Sequence, residues 1–246
     1  MTQDPLSERV RREAEHGRSI LAADESNWGW NTPAGRIRKQ RRATFLTQGF
    51  SGGASRPKVL EVGCGSGTFT GDISLAFDDL VSIDVSDVLL EAARVKFPKV
   101  RFEKADIHRT GFADGSFDLV VGCSVLHHLD WDLALREIMR LLRPGGQIRF
   151  SEPNLLNPQI FVQKKWPWLK RRLGDSPDES AFTPGQIRSS LERAGFQGIV
   201  AEPFEFLHPQ IPASLIDGVI RAEAWLESTP LRSIAGSIKI LARKPA

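Results

Sequence analysis

Two histidines stand side by side in SVLHHLDWD, residues 124–132 of this 246-residue chain. Imidazole titrates near neutral pH, so His127 or His128 has the chemistry to take a proton from a nucleophile or to orient it. Neighbouring residues at a helix start point in different directions, so only one of the pair is expected to face a shared pocket, and His128 is the preferred candidate. Upstream, EVGCGSGTFT places glycines at 63, 65 and 67. Without Cβ atoms they let the backbone bend tightly and come close to a ligand. Thr68 stands where a dinucleotide fingerprint requires its third glycine, so no pyrophosphate cradle is indicated. Asp84 closes LVSID and Asp106 closes FEKAD. A carboxylate at such a point can accept two hydrogen bonds from ribose hydroxyls, and a second can accept from an adenine amino group. His16, His108 and His208 lie outside this constellation and are expected at the surface.

The elements around these residues alternate. KVLEVG reads as a strand, residues 68–77 as a helix, LVSIDV as a strand, VLLEAARVKF as a helix, and VRFEKAD and FDLVVGCS as strands. Leu135, Ile138, Met139 and Leu142 share one helical face in WDLALREIMRLLRPGG, where Pro144-Gly145-Gly146 stops the helix before QIRFSEPN, a fifth strand. Such alternation implies a parallel sheet covered on both faces, with ligands at the carboxyl ends of its strands. TPGQIRSSLERAG is a further helix, and GFQGIVAEPFEFL and SIKILARK are expected to pair as a late antiparallel hairpin. Residues 1–50 read as a helical arm, with Thr32 as N-cap and Pro33 at the first helical position, ahead of a Gly/Ser-rich break. Residues 155–181 and 208–233 read as irregular cap insertions in a core of 51–246.

EVGCGSGTF, IDVS, KADI, FDLVVGCSVLHHL and LLRPGGQIRFSEPN, in this order and spacing, resemble the successive motifs of the class I S-adenosylmethionine-dependent methyltransferases, in particular those acting on small molecules and lipids. The resemblance covers residues 58–154 closely. It implies an α/β, Rossmann-like seven-stranded sheet of order 3-2-1-4-5-7-6 with the last strand antiparallel, and S-adenosylmethionine as cofactor, leaving S-adenosylhomocysteine. It further implies that Glu61, Gly63, Cys64 and Gly65 line the methionine end of the cofactor and that Gly67 shapes the turn. Asp84 would hold the ribose, Val85 would pack on adenine, and Asp106 with Ile107 would bind the adenine edge. Cys123 would offer its backbone carbonyl to the cofactor's amine. Trp28 and Trp30 lie in the arm that folds over the pocket in this family.

Transfer of an already activated methyl needs chiefly a nucleophile held about 3 to 3.5 Å away and in line. A positioned base adds about 10²- to 10⁴-fold for an alcohol, phenol or protonated amine, and nothing for a carboxylate. The expected activity is therefore methylation of oxygen or nitrogen of a small molecule, such as a natural product, sugar or lipid-linked intermediate. Two alternatives stand beside it: nucleic-acid methylation, and binding of the cofactor without transfer. Against the first, GCSVLHH replaces the Asn/Asp-Pro-Pro-aromatic motif of base-amino methylation, and Gly122 rather than a proline precedes Cys123.

Composition sets the outer limits. The net charge is +3, yet basic residues cluster in RIRKQRR (36–42) and KKWPWLKRR (164–172). Arg36, Arg41 or Arg42 could reach the cofactor's carboxylate or an anionic acceptor. Trp166 and Trp168 lie among five basic residues, a composition that suits an interfacial element against an anionic membrane or lipid-linked acceptor, and equally a polar cap with tryptophans beneath it. The N-terminus has no apolar signal region and there are only two cysteines, so a cytoplasmic address is expected. No metal-ligand spacing is apparent, and tyrosine is absent.

Overall fold

The computed structural model describes residues 5–22, 29–50, 56–173, 176 and 179–246. Seven strands, β1 Lys58–Val62, β2 Asp79–Asp84, β3 Arg101–Lys104, β4 Phe117–Cys123, β5 Leu142–Pro153, β6 Gln197–Phe204 and β7 Ser237–Arg243, form one sheet. Their order is β3-β2-β1-β4-β5-β7-β6. β7 runs antiparallel to both β5 and β6, and the pairs from β3 across to β5 are parallel. The order reverses at β1, which lies between β2 and β4, and the crevice at such a switch point is where open α/β sheets take their ligands.

Strand alternation sorts the core into two layers. Leu60, Val62 and Val120 face a cluster with Leu135 and Ile138 of α5 (Trp131–Leu141) and Ile187 of α8 (Pro184–Arg193). Val59, Leu119 and Val121 face the other way, against Leu46 of α2 (Pro33–Thr47) and Ile73 of α3 (Thr70–Ala76). Each helix starts where the local chemistry directs. Thr32 caps α2 ahead of Pro33, Asp130 accepts from Leu133 N–H to cap α5, and Thr183 with Gln186 makes a reciprocal capping box on α8. Ser86 caps α4 (Asp87–Lys96). α5 stops at Leu141, earlier than the Pro-Gly-Gly reading, because Leu142 has already turned to extended backbone. Pro144-Gly145-Gly146 then bulges within β5, between the pairings Phe117 to Leu142 and Leu119 to Gln147.

The two stretches read as irregular contain helices. α6 (Pro158–Lys165) and α7 (Pro167–Leu173) occupy the first, and α9 (Ile216–Glu227) the second. α6 and α7 are too short to show long apolar periodicity, α6 burying no residue at all, and α9 buries only Ile216 and Glu223, too few to mark an apolar face. In the arm, α1 (Pro5–Ala22) lies against α4, so closely that a Cβ at Gly17 would come within 2.3 Å of Ser86 Oγ. α2 packs on α3 and against the central strands β4 and β5. Among the described residues no helix is long and apolar enough to cross a membrane.

Candidate functional site

A cavity of about 240 Å³ opens at the carboxyl ends of the strands around the switch point. The turn after β1 supplies Gly63, Cys64 and Gly65, β2 supplies Asp84 and Val85, the end of β3 leads to Asp106 and Ile107, and β4 ends at Cys123 and Ser124. Gly63 has φ +66, and a Cβ there would come within 2.3 Å of Val125, so the turn admits no side chain. At Gly65, φ +55, a Cβ would meet nothing within 4 Å: bare backbone borders open space, as a closely approaching ligand requires. Gly67 instead packs under the ring of Phe97, away from the cavity.

Asp84 is half-buried at the cavity wall, accepting from Gly65 N–H and Ser86 N–H, each at 2.9 Å. Burial nevertheless pushes its carboxyl above the usual range, and further hydrogen-bond donors would relieve that cost. Each oxygen retains acceptor capacity for hydroxyls. Asp106 Oδ1 accepts from His108 N–H and pairs with His108 Nδ1 at 2.6 Å, while Oδ2 has no partner among the described residues. His108 Nε2 accepts from Asp130 N–H at 3.0 Å, so the ring carries its proton on Nδ1, toward Asp106. The donor set therefore fits a nucleoside: glycine backbone, one carboxylate for vicinal hydroxyls, and a second for an exocyclic amine.

The histidines lie on a 3-10 turn, Leu126–His128, entered through Ser124, a non-glycine residue with φ 55. Such backbone strain at a cavity wall persists only where surroundings enforce it. Here Glu152, wholly buried at the end of β5, does so: its Oε1 accepts from Val125 and Leu126 N–H at 3.0 Å each, and Oε2 bonds His127 Nδ1 at 2.6 Å. On the other side of the ring, His127 Nε2 lies 3.3 Å from Glu179 Oε1. Burial alone would strip the proton from His127, but its hydrogen bonds to Glu152 and Glu179 outweigh this and raise its pKa to about 9. His128 is more open, its side chain 22% exposed against 5% for His127, and its Nδ1 lies 3.0 Å from Glu13 Oε2 of α1. That contact has ion-pair distance without hydrogen-bond alignment. Arg9 Nε also donates to the His128 carbonyl, at 2.7 Å, and Ser176 Oγ to Glu13 Oε1, at 2.6 Å.

Several expectations change. Both histidines, rather than one, border the cavity, because Glu152 draws the ring of His127 in beside that of His128, with centroids 4.3 Å apart. His108 and His16 also line it instead of the surface, as the chain after β3 turns inward and α1 crosses the opening. Glu61 lies behind the wall, where its Oε2 accepts from Ser82 and Thr70 hydroxyls and burial lifts its pKa to about 7. Trp30 lines the cavity, edge-on to Phe69 with Arg38 and Arg42 over its ring. Arg36 is directed away from the cavity, onto the Asn31 carbonyl, and Arg41 pairs with Glu223. Arg42 is buried, bound to Glu205 and Ser237, with the Cys123 thiol 3.8 Å away. Trp166, at the junction between α6 and α7, and Trp168 on α7 are 50% and 55% exposed and lie outside the cavity. Trp28 lies outside the described residues.

Sequence reading missed Glu13, His108, Glu152 and Glu179. A charged residue closing the buried run IRFSE was a usable signal for Glu152, and the Asp-x-His spacing for His108; Glu13 and Glu179 carry none. Ligand atoms of His127, His128 and Glu179 also lie within 4.8 Å of one another, a grouping that no spacing along the chain announces. Lys164 Nζ already sits on the same Glu179 oxygen, so a cation occupies that donor.

Comparison with known proteins agrees with this geometry. The model of a methyltransferase domain family matches residues 60–150. The chain is 34% identical over 176 residues to demethylmenaquinone methyltransferase of Beutenbergia cavernae, covering 68% of this chain and 72% of that protein. It is 33% identical over 157 residues to phosphoethanolamine N-methyltransferase 3 of Arabidopsis thaliana, covering 59% of this chain and 30% of that one. It likewise spans less than half the length of other curated relatives it matches. A crystal structure of an S-adenosylmethionine-dependent methyltransferase of Thermotoga maritima, described as a possible histamine N-methyltransferase, shares the fold at 15% identity. Its TM-score is 0.66, over 93% of this chain and 97% of that one. With the motif order, the strand order and the nucleoside-shaped cavity in agreement, the chain belongs to the class I S-adenosylmethionine-dependent methyltransferases.

Proposed function

We propose that this chain methylates an oxygen or nitrogen of a small molecule, with His128 as the side chain that orients the acceptor or takes its proton. The observation that carries this reading is the continuity of one cavity from Asp106 and Asp84, past bare Gly65, to His128. The names of its relatives, which specify demethylmenaquinone and phosphoethanolamine, support a small-molecule acceptor.

S-adenosylmethionine, when bound, supplies an activated sulfonium methyl. Asp84 accepts the ribose hydroxyls, Val85 packs on the adenine, and Asp106 with Ile107 meets its edge. Gly63, Cys64 and Gly65 pass the ligand by backbone alone, and the Cys123 carbonyl accepts from its amine. α1 serves as a lid: Arg9, Val10, Glu13 and His16 line the cavity from above and join it to the His128 turn. His127 is not the base, because a ring holding its proton up to about pH 9 between two carboxylates has no free nitrogen at neutral pH. Its role is positioning, together with Glu152. Trp30 and Phe69 give the acceptor an apolar wall.

Titration calorimetry with S-adenosylmethionine and S-adenosylhomocysteine tests the first half of this reading, and absence of binding to both overturns it. His128→Ala tests the second. Turnover is expected to fall by about 10²-fold or more, with cofactor affinity nearly unchanged. A variant turning over like the parent would leave positioning alone as the source of catalysis.

A further inference from the structure

The basic, tryptophan-bearing stretch that lies outside the cavity has a surface of its own. Phe161, Val162, Trp166 and Trp168 are 45%, 40%, 50% and 55% exposed. Phe161 and Lys165 lie one turn apart on the same side of α6, and Trp166, the extended residue that caps α6, donates its backbone N–H to the Val162 carbonyl one turn back. Lys165 Nζ sits 5.7 Å from the Phe161 ring centroid. On α7, exposed Trp168 and Arg172 repeat that spacing. From Pro158 to Leu173 the chain holds five basic residues and no acidic one. Large apolar side chains gathered in water mark a contact surface, and the exposed positive charges of Lys165 and Arg172 beside them select what covers it.

We propose that α6 and α7 dock on an anionic phospholipid bilayer. Phe161, Val162, Trp166 and Trp168 enter the boundary between headgroups and acyl chains, where amphipathic rings partition, and Lys165 and Arg172 meet the lipid phosphates. A second copy of the chain fits less well, since a two-fold contact would set the same positive charges against each other. Nucleic acid matches the charge but leaves Phe161 and Val162 without an apolar partner.

The same element reaches the site. Lys164 Nζ holds Glu179 Oε1, and Lys170 Nζ donates to the Glu179 carbonyl at 2.7 Å. Ser180 N–H and Oγ then both donate to the His127 carbonyl, at 2.9 and 3.0 Å. A bilayer under α6 and α7 therefore lies beside the histidine end of the cavity. On the methyl-transfer reading above, the acceptor class this favours is an amphiphile dissolved in that bilayer; the docking itself does not depend on that reading.

Co-sedimentation tests the docking directly. The protein is expected to pellet with vesicles of two parts phosphatidylcholine to one part phosphatidylglycerol, to stay in solution with phosphatidylcholine alone, and to release as salt is raised. Trp166→Ala with Trp168→Ala should lower the partition coefficient at least about tenfold. Lys165→Glu and Arg172→Glu should each lower it roughly fivefold or more. All four side chains are exposed, so melting temperature and S-adenosylmethionine affinity should match the parent, which keeps any failure of the cofactor site separate. The proposal is overturned by absence of sedimentation, by binding indifferent to lipid charge, or by binding indifferent to these substitutions. Salt-sensitive binding of single-stranded RNA without vesicle binding would also overturn it, as would a lipid-free dimer that Trp166→Ala dissolves.

Discussion

At one end of the cavity, Gly65, Asp84 and Asp106 follow the tips of three adjacent strands; at the other, Glu13, His127, Glu152 and Glu179 come from an N-terminal helix, a 3-10 turn, a strand end and the segment after α7. The first end is assembled by sheet register, since parallel pairing of β1, β2 and β3 brings their tips together whatever the side chains there do. The second is assembled by the side chains themselves. Its carboxylates and imidazoles are one another's partners, so the groups that shape this end of the cavity also hold the fold. Substitutions at the first end should therefore register in ligand affinity, and those at the second in stability.

Asp84→Ala offers the largest break. Losing two hydrogen bonds to a charged acceptor should weaken S-adenosylmethionine binding about 10²- to 10³-fold, while stability moves by less than about 1 kcal/mol because the cost of a partly desolvated carboxylate disappears with it. Calorimetry and a melting curve on one sample check both. A large stability loss with intact affinity would reverse the contrast. Glu152→Ala should do the opposite: two backbone N–H groups and His127 lose their acceptor, costing on the order of 3 kcal/mol. The expected drop in melting temperature is about 6 to 12 °C for a chain of this size, with cofactor affinity within a few-fold of the parent.

The pH dependence sharpens the same point. Because folding raises the His127 pKa from 6.5 to about 9, its contribution is fully present below pH 6.5 and is lost as pH rises toward about 9. Urea unfolding across that window should show a decline on the order of 2 to 3 kcal/mol. His127→Ala should be less stable at pH 6.5 and show a flatter profile, and an equally steep profile in that variant would assign the dependence elsewhere. The smallest effect is expected of Arg36→Ala, outside both ends, whose stability and cofactor affinity should each shift by less than about 0.5 kcal/mol.

The strand-tip end was legible because its cause is local. Glycines at 63, 65 and 67 and acids closing LVSID and FEKAD keep their positions in any parallel sheet of this order. The alternation of short apolar runs with helical periods reads as a parallel sheet covered on both faces, and the motifs' resemblance to the methyltransferase family implied its order. Trp30, singled out because the arm folds over the pocket in the family the chain resembles, lines the cavity. Glu61 was misplaced because alternation along β1 turns its side chain toward Ser82 and Thr70, and spacing along the chain does not report that neighbourhood. His108 was assigned to the surface because nothing local tells that Asp130, the cap of α5, will arrive at its Nε2. The cap tryptophans drew attention by composition, but composition does not say which way a short helix faces.

The amino-acid sequence by itself determined the parallel α/β alternation, the glycine turn, the two strand-tip acids and the place of the histidine pair after β4, since each depends on residue type and spacing within about thirty residues, the reach of one strand-helix-strand unit. The full strand order was implied only by the family resemblance. Tertiary structure alone decided that His127 is a clamped, proton-holding ring and His128 the open one. The two share a dipeptide, and what separates them arrives from Glu152 and Glu179 on one side and from Glu13 on the other. Protonation and exposure follow from desolvation and from partners distant in sequence, and those are settled only when the chain has folded.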